Sequence, residues 1–533
     1  MRILQRKLFL IVLWGGILII GAGLRWSALD LRAMHTDEAV HGIKFKALLE
    51  NNDYEYDPYE YHGPTLNVFT LFPCLITGSR EIESVSETHL RIVPAVFGWL
   101  LILMPLLFSS VIGHRAAFLS ALFITFSPAM VFYSRYYIQE ILLVFFVTAA
   151  LFLFILSLRN RKYYLFLLCG AAWGLASATK ETWIIPAGIL GIMFVLYYAI
   201  NIKSLSSIRD LLPGFTLLLL GFAVPFMLFY SEFFTNFSAL TKPASALNIY
   251  LNRAETGDHQ HPWWYYLKLF GFFRNHGPLF TEGFLVLSAL GGLIIAYKPG
   301  WMNRSLLFFG MQPRAAKYAA GFTLLFALIY MILPYKTPWS FLGVWALLLI
   351  WAGLFWKQLF VLHKGKTFKL SAAALLNFGI LHLVFQTILL NFKYHSTPEN
   401  PYVYGHTLPD IQNLCHEIIK SYAATENPHQ FWVEVIAPDH DYWPLPWYLR
   451  DLPNIGWQGE VDMESPAAPL IVTHLPNPQL SQKLYELPPP GQRFMYIPVF
   501  EEDKELRPGA SVNVLLRKDY WDSYRSSIHK RGR

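Results

Sequence analysis

Again and again this chain runs apolar for about 17 to 25 residues, the length that carries a helix across the hydrocarbon core of a bilayer. We count roughly eleven such runs, at 8–29, 89–112, 116–133, 138–158, 163–179, 182–200, 210–231, 279–297, 317–334, 339–356 and 370–391. In lipid a backbone must satisfy its own hydrogen bonds, so each run is predicted to be a helix. Composition agrees: 15% of residues are charged, against about 25% in soluble domains. The expected fold is mainly α, a polytopic membrane protein of about eleven transmembrane helices. Arg2, Arg6 and Lys7 before the first run suggest a signal peptide. The run outlasts a signal core and lacks a small-residue cleavage site, so we read it as a retained helix.

Charge sets the orientation. With the N-terminus in the cytoplasm, Arg2 to Lys7, His114-Arg115, Arg159 to Lys162, Lys203 to Arg209, Lys298 to Lys317 and Lys357 to Lys369 all fall inside. The acid-rich segment 30–88 falls outside, which is the positive-inside pattern. The net charge of +7 therefore belongs to short loops that fix topology, and it is no argument for nucleic acid. Cys74, Cys169 and Cys415 have neither metal-ligand nor disulfide spacing. The chain is read as an integral protein of a prokaryotic plasma membrane.

The domain plan follows. Residues 1–391 form the membrane part, with 30–88 as its first external loop. Residues 392–533 form a small extracytoplasmic α/β domain. In the loop, 38–50 and 65–77 suit helices lying on the membrane surface. In the domain, Asp410 to Ala423 reads as a helix, and Phe431 to Ile436, Leu470 to His474, Arg493 to Val499 and Val512 to Arg517 as strands. No glycine-rich nucleotide loop is present. A second external loop, Glu232 to Pro278, carries His259, His261, Trp263, Trp264, Tyr265 and Tyr266. An interfacial aromatic belt accounts for it, and a loop gripping a lipid headgroup is the alternative.

The chemistry is expected at the outer span ends. His35-Thr36-Asp37-Glu38-Ala39-Val40-His41-Gly42 sets two carboxylates beside the first span. They suit proton abstraction, a divalent cation held by Asp37, Glu38 and His41, or a helix N-terminus where acids are favoured. Arg91, Arg135, Lys180 and Lys336 lie on the same outer side, which the positive-inside rule depletes of cations. Cations there suit a lipid phosphate. Glu140 and Glu181 accompany them. Together these groups imply transfer from a lipid-linked phosphate donor. One acid takes the acceptor's proton and the cations receive the leaving phosphate.

At these residues the chain resembles the C-type (GT-C) membrane glycosyltransferases, in the branch shared by protein O-mannosyltransferases and the aminoarabinose transferases of lipid A. More narrowly it resembles proteins described as flippase-activity-associated. The motifs are Asp37-Glu38…His41-Gly42, Tyr61-His62-Gly63-Pro64, Ser134-Arg135-Tyr136…Glu140, Thr179-Lys180-Glu181 and Lys336-Thr337-Pro338-Trp339. They cover residues 1–391, and Asn400-Pro401-Tyr402-Val403-Tyr404 extends the match. The resemblance implies a polyprenyl-phosphate sugar donor, an acceptor that is protein, lipid or glycan, and inverting transfer on the extracytoplasmic face. It implies catalytic roles for Asp37, Glu38 and Glu140, and donor-phosphate contacts from Lys180, Lys336, Arg135 and Arg91. His62, Tyr61 and Trp339 fall on the substrate side. The lysine motif departs from the family by continuing Thr337-Pro338-Trp339 in place of a Leu-Pro pattern.

Two other classes compete. A transporter or flippase component binds the same lipid phosphate without chemistry, but favours mid-membrane charges and repeated halves. An assembly scaffold would use its external domain, where the aromatic run Asp439 to Tyr448 suits sugar or protein contact, or packing within the protein.

Overall fold

A computed structural model of the protein describes residues 2–59, 62–201, 211–246, 248–249, 259–297, 313–363, 365–438, 441–474 and 476–531. Two of the expected inside loops, 203–209 and 298–317, therefore lie largely outside the described residues. Among the described residues, seven helices are long and apolar enough to cross a membrane. They are Glu87–Leu107, Glu140–Asn160, Glu181–Ile200, Leu212–Tyr230, Ala315–Ile332, Pro338–Leu362 and Lys366–Lys393. His114–Phe126 and Pro128–Ser134 make an eighth if the pair, bent by 63°, is one span. The chain is thus a mainly α, polytopic membrane protein, with seven to eight such spans among the described residues against an expectation of eleven.

The shortfall has local causes. At the bend, Pro128 has no N–H to continue the helix, and the Ser127 hydroxyl caps the new one by accepting from Met130 N–H. Three expected spans are shorter apolar helices, Leu10–Trp26, Tyr163–Ser177 and Gly283–Tyr297. The second of these stops where Lys180 turns extended, at φ −160° and ψ 139°.

These helices wear their apolar side chains outward. Leu219, Val224, Phe378, Leu381 and Phe385 are exposed, while Arg25, Arg91 and Lys336 are buried. A hydrocarbon solvent selects that distribution. Helix–helix contact then depends on small residues. A Cβ added at Gly170 would lie 1.9 Å from the Leu218 carbonyl oxygen, and one at Gly221 2.1 Å from that of Leu167. Tyr163–Ser177 and Leu212–Tyr230 pack that closely because both positions lack a side chain.

The chain divides into two compact units. One contains residues 1–29, 52–78 and 88–404, and the other 30–51, 79–87 and 405–533. The loop 30–88 is thus shared between them. The second unit holds a six-stranded sheet: β1 Val433–Ile436, β2 Ile455–Gln458, β3 Leu470–Thr473, β4 Tyr496–Pro498, β5 Lys504–Arg507 and β6 Ala510–Arg517. The order is β2-β1-β3-β6-β4, with β5 paired to β6. β1 runs parallel to β2 and β3, while β6 is antiparallel to its partners. Central β1 and β3 are buried throughout and rich in branched residues, as strands of a parallel core are. Helix Asp410–Ala423 lays Ile411, Leu414, Cys415 and Ile418 against Val433, Val435, Leu470 and Val472.

The same unit contains helix Thr36–Asn51. The Tyr448 hydroxyl receives Met34 N–H at 2.7 Å. Trp447 Nε1 donates to Glu87 at 3.0 Å, and Arg450 to the carbonyls of Ile82 and Val85. The aromatic run near 442–448 is therefore engaged in packing. Asp439 and His440 lie outside the described residues.

Candidate active site

Glu140 opens helix Glu140–Asn160, where the helix dipole favours a carboxylate. Lys180 Nζ donates to its Oε1, and both residues are buried. Such a pair persists away from water only because each charge answers the other. Two sequence motifs close over this point. His62 Nδ1 lies 3.0 and 3.1 Å from the two Glu181 carboxylate oxygens. Thr65 N–H donates to the Ala178 carbonyl at 3.2 Å, and Thr65 Oγ1 to Thr179 Oγ1 at 2.8 Å. Between them sits Gly63, where an added Cβ would lie 2.2 Å from the Ala178 carbonyl oxygen. The His-Gly-Pro segment thus docks on the Thr-Lys-Glu segment because position 63 has no side chain. Gly63→Ala is expected to destabilise the protein by about 1–3 kcal/mol, the usual cost of overpacking. An unchanged melting temperature would show that the contact holds nothing. Tyr61 lies outside the described residues.

Lys336 is placed by a different device. Gln260 and Tyr335 form an antiparallel bridge, flanked by His261 N–H to the Pro334 carbonyl and Lys336 N–H to the His259 carbonyl. Lys336 Nζ donates to the carbonyls of His261, at 2.9 Å, and Leu333. Burial holds its pKa below the ordinary lysine value. His259 Nδ1 and His261 Nε2 both reach the Tyr404 hydroxyl, at 2.7 and 3.1 Å. Burial first, then His259 and Lys336, lower the His261 pKa. Burial, with Tyr335, pushes Tyr404 up to about 12. Trp339 is buried with its ring against Tyr133, Tyr136 and Tyr404.

Arg135 and Arg91 point to backbone. Arg135 donates to the carbonyls of Leu24, Ser27 and Ala28, at 3.1, 2.6 and 2.7 Å. Arg91 donates to the Leu29 carbonyl at 2.7 Å. Cations at a helix C-terminus satisfy its orphan carbonyls.

Helix Thr36–Asn51 separates the two acids of the first motif. Glu38 is fully buried, accepts His35 N–H at 3.0 Å and stands 3.7 Å from Arg32. Asp37 N–H in turn donates to His35 Nδ1 at 3.0 Å. This reciprocal arrangement is a capping box with histidine as the cap. The Asp37 side chain is 46% exposed, 3.9 Å from His35 Nδ1. So Glu38 holds the helix end, and Asp37 is the open carboxylate of the two. His41 is buried. Among the described residues no three His, Cys, Asp or Glu side chains form a group that could hold a metal. Asp37, Glu38 and His41 thus do not converge as the ligand set considered from sequence, because Glu38 is turned into the cap.

Two acids gain their place only from the structure. Glu181 carried no assigned role, although its helical neighbourhood placed it beside Lys180. Glu282 is buried and accepts from Ser127 Oγ, Ala129 N–H and Tyr402 OH, at 2.6, 2.9 and 2.5 Å. It pins the 126–128 bend, and an acid inside the run 279–297 was the signal.

The profile of dolichyl-phosphate-mannose-protein mannosyltransferases matches residues 70–231. Comparison with curated proteins finds no match. Among solved structures, the chain is similar to ArnT from Cupriavidus metallidurans bound to undecaprenyl phosphate, at 16% identity and TM-score 0.57, covering 95% of this chain and 97% of that one. The apo form of the same ArnT gives TM-score 0.59. The archaeal oligosaccharyltransferase AglB from Archaeoglobus fulgidus, in complex with an inhibitory peptide and a dolichol-phosphate, gives 13% identity and TM-score 0.57, covering 88% and 69%. At such identities the likeness is one of fold.

Proposed function

We propose that this protein is a membrane glycosyltransferase that moves a sugar from a polyprenyl-phosphate donor to an acceptor on the extracytoplasmic face, by a single inverting displacement. The observation that carries the reading is the buried Glu140–Lys180 pair, closed over by His62–Glu181, at the ends of membrane helices. A buried lysine paired with a carboxylate at a span end suits a lipid phosphate. The fold likeness to proteins solved with undecaprenyl phosphate and dolichol-phosphate supports the donor class. In this reading the acceptor hydroxyl attacks the anomeric carbon as the bond to the phosphate oxygen breaks. Its proton passes to Asp37, and Lys180 and Lys336 receive the departing phosphate. Arg135 and Arg91 fix the chain at 24–29. Trp339 and His62 border the substrate.

The same reading keeps eleven crossings: the seven long helices, the bent pair as one, and Leu10–Trp26, Tyr163–Ser177 and Gly283–Tyr297. It keeps the cytoplasmic N-terminus, and the flippase-associated proteins as the nearest branch by motif. The test is release of polyprenyl phosphate from a panel of sugar-loaded donors by the purified full chain. A panel without turnover, alongside lipid movement between leaflets, would favour the transporter class.

Lys336 makes the reading sensitive to pH. Its pKa lies below 10.5 through burial, so its charge is lost as pH rises through that lower value. Donor affinity is expected to weaken on the alkaline side earlier than an exposed lysine would dictate. Lys336→Arg should hold affinity level there, because guanidinium stays charged. An identical alkaline fall in the variant removes Lys336 from the phosphate.

A further inference from the structure

Glu181 has no role in the reaction so far. Its carboxylate is mostly covered, with 13% of the side chain exposed, whereas the His62 ring bonded to it is 32% exposed. The pair therefore runs from a covered acid to a partly open imidazole. Its chain neighbour is Lys180, whose charge is answered by Glu140. Behind Glu181, Tyr230 donates to the Ser177 carbonyl at 2.7 Å, and the rings of Tyr56 and Tyr230 meet at 5.1 Å. Tyr56, buried against this acid, has its pKa raised by burial, then by Glu181 and Asp57. Two contacts hold the backbone that carries the ring: Gly63 against Ala178, and Thr65 on Thr179. The imidazole is thus fixed at two points, its backbone and its Nδ1.

We propose that Glu181 is a positioning residue which, through His62, completes the anion site around Lys180. Glu181 fixes the ring through Nδ1, and His62, when both its nitrogens carry a proton, donates Nε2–H to an oxygen of the lipid phosphate. An acid behind a histidine sets ring orientation. Lys180 shares its charge with Glu140, so a phosphate beside it gains from a second donor. The proposal rests on the donor reading above, and it assigns a specificity: a phosphate at this position rather than a neutral headgroup.

The experiment measures binding of undecaprenyl phosphate, without sugar, to the purified full chain and to Glu181→Gln, His62→Gln and the double variant. Each single substitution is expected to weaken binding about tenfold or more, the equivalent of one charge-assisted hydrogen bond. Because the two residues act as a unit, the double variant should bind no more weakly than either single one. Glu181→Asp should recover part of the loss. Each variant is checked for an unshifted melting temperature. Normal binding by Glu181→Gln, or losses that multiply in the double variant, overturns the positioning role alone. A wild-type chain that binds no lipid phosphate overturns the donor reading and the dyad with it. A loss matched by a lowered melting temperature and absent from His62→Gln assigns Glu181 to the fold and overturns the proposal.

Discussion

Replacing Lys180 by Met is expected to cost about 3–5 kcal/mol of stability and to abolish sugar transfer, because it strands Glu140 in a place without water. The two charges touch and both residues are buried. Glu140→Leu should cost a similar amount for the mirror reason. The double variant Glu140→Leu with Lys180→Met is the informative one. Apolar groups of similar volume often replace a buried pair at little cost, so its melting temperature should return toward wild type. Transfer should not return, since no ammonium remains for the phosphate. Thermal melts with donor turnover read both halves. A double variant that transfers sugar would make the pair a structural element only.

Asp37→Asn is expected to reduce transfer by about 10²–10⁴-fold, the contribution of a positioned general base, while lipid-phosphate binding stays close to wild type. The substitution keeps size and leaves the capping box intact, because the cap uses His35, the Asp37 backbone and Glu38. Stability should therefore hardly move. Glu38→Gln should behave oppositely. It weakens the buried contact with Arg32 and is expected to lower the melting temperature before it touches the rate. Turnover under saturating donor, together with a binding curve, separates the two. An Asp37→Asn enzyme of wild-type speed, or one that loses binding and rate in equal measure, ends the assignment.

What the sequence made legible follows from periodicity and chemistry at single positions. Helix Asp410–Ala423 was readable because Ile411, Leu414, Cys415 and Ile418 recur at helical spacing. β1 and β3 were readable as short apolar runs. β2 was not, because it is half-buried, carries Gly456 and follows Pro453 and Asn454. β5, Lys-Glu-Leu-Arg, buries only Leu506 fully and reads as a polar turn. Lys180, Glu140 and Lys336 stood out because charges at span ends are costly. Which of them pair did not, since pairing depends on which span end faces which. Residue type alone leaves Asp37 and Glu38 equivalent, and the resemblance implies Asp37 as the base or acceptor-orienting acid. The helix start separates them physically, by turning one into the cap and leaving the other open.

The interleaving of the second unit imposes a schedule on synthesis. The segment bearing Asp37 leaves the ribosome early, yet the Tyr448 hydroxyl that receives Met34 N–H, and the helix Asp410–Ala423 of the same unit, come some four hundred residues later. At translation rates of about 5–20 residues per second, that gap is roughly 20–80 seconds. For all that time helix Thr36–Asn51 waits without those later partners. On the proposed function, a nascent chain therefore seats its proton acceptor only after the described membrane helices have been made, and a product terminated before Tyr448 is expected to reach the membrane inert.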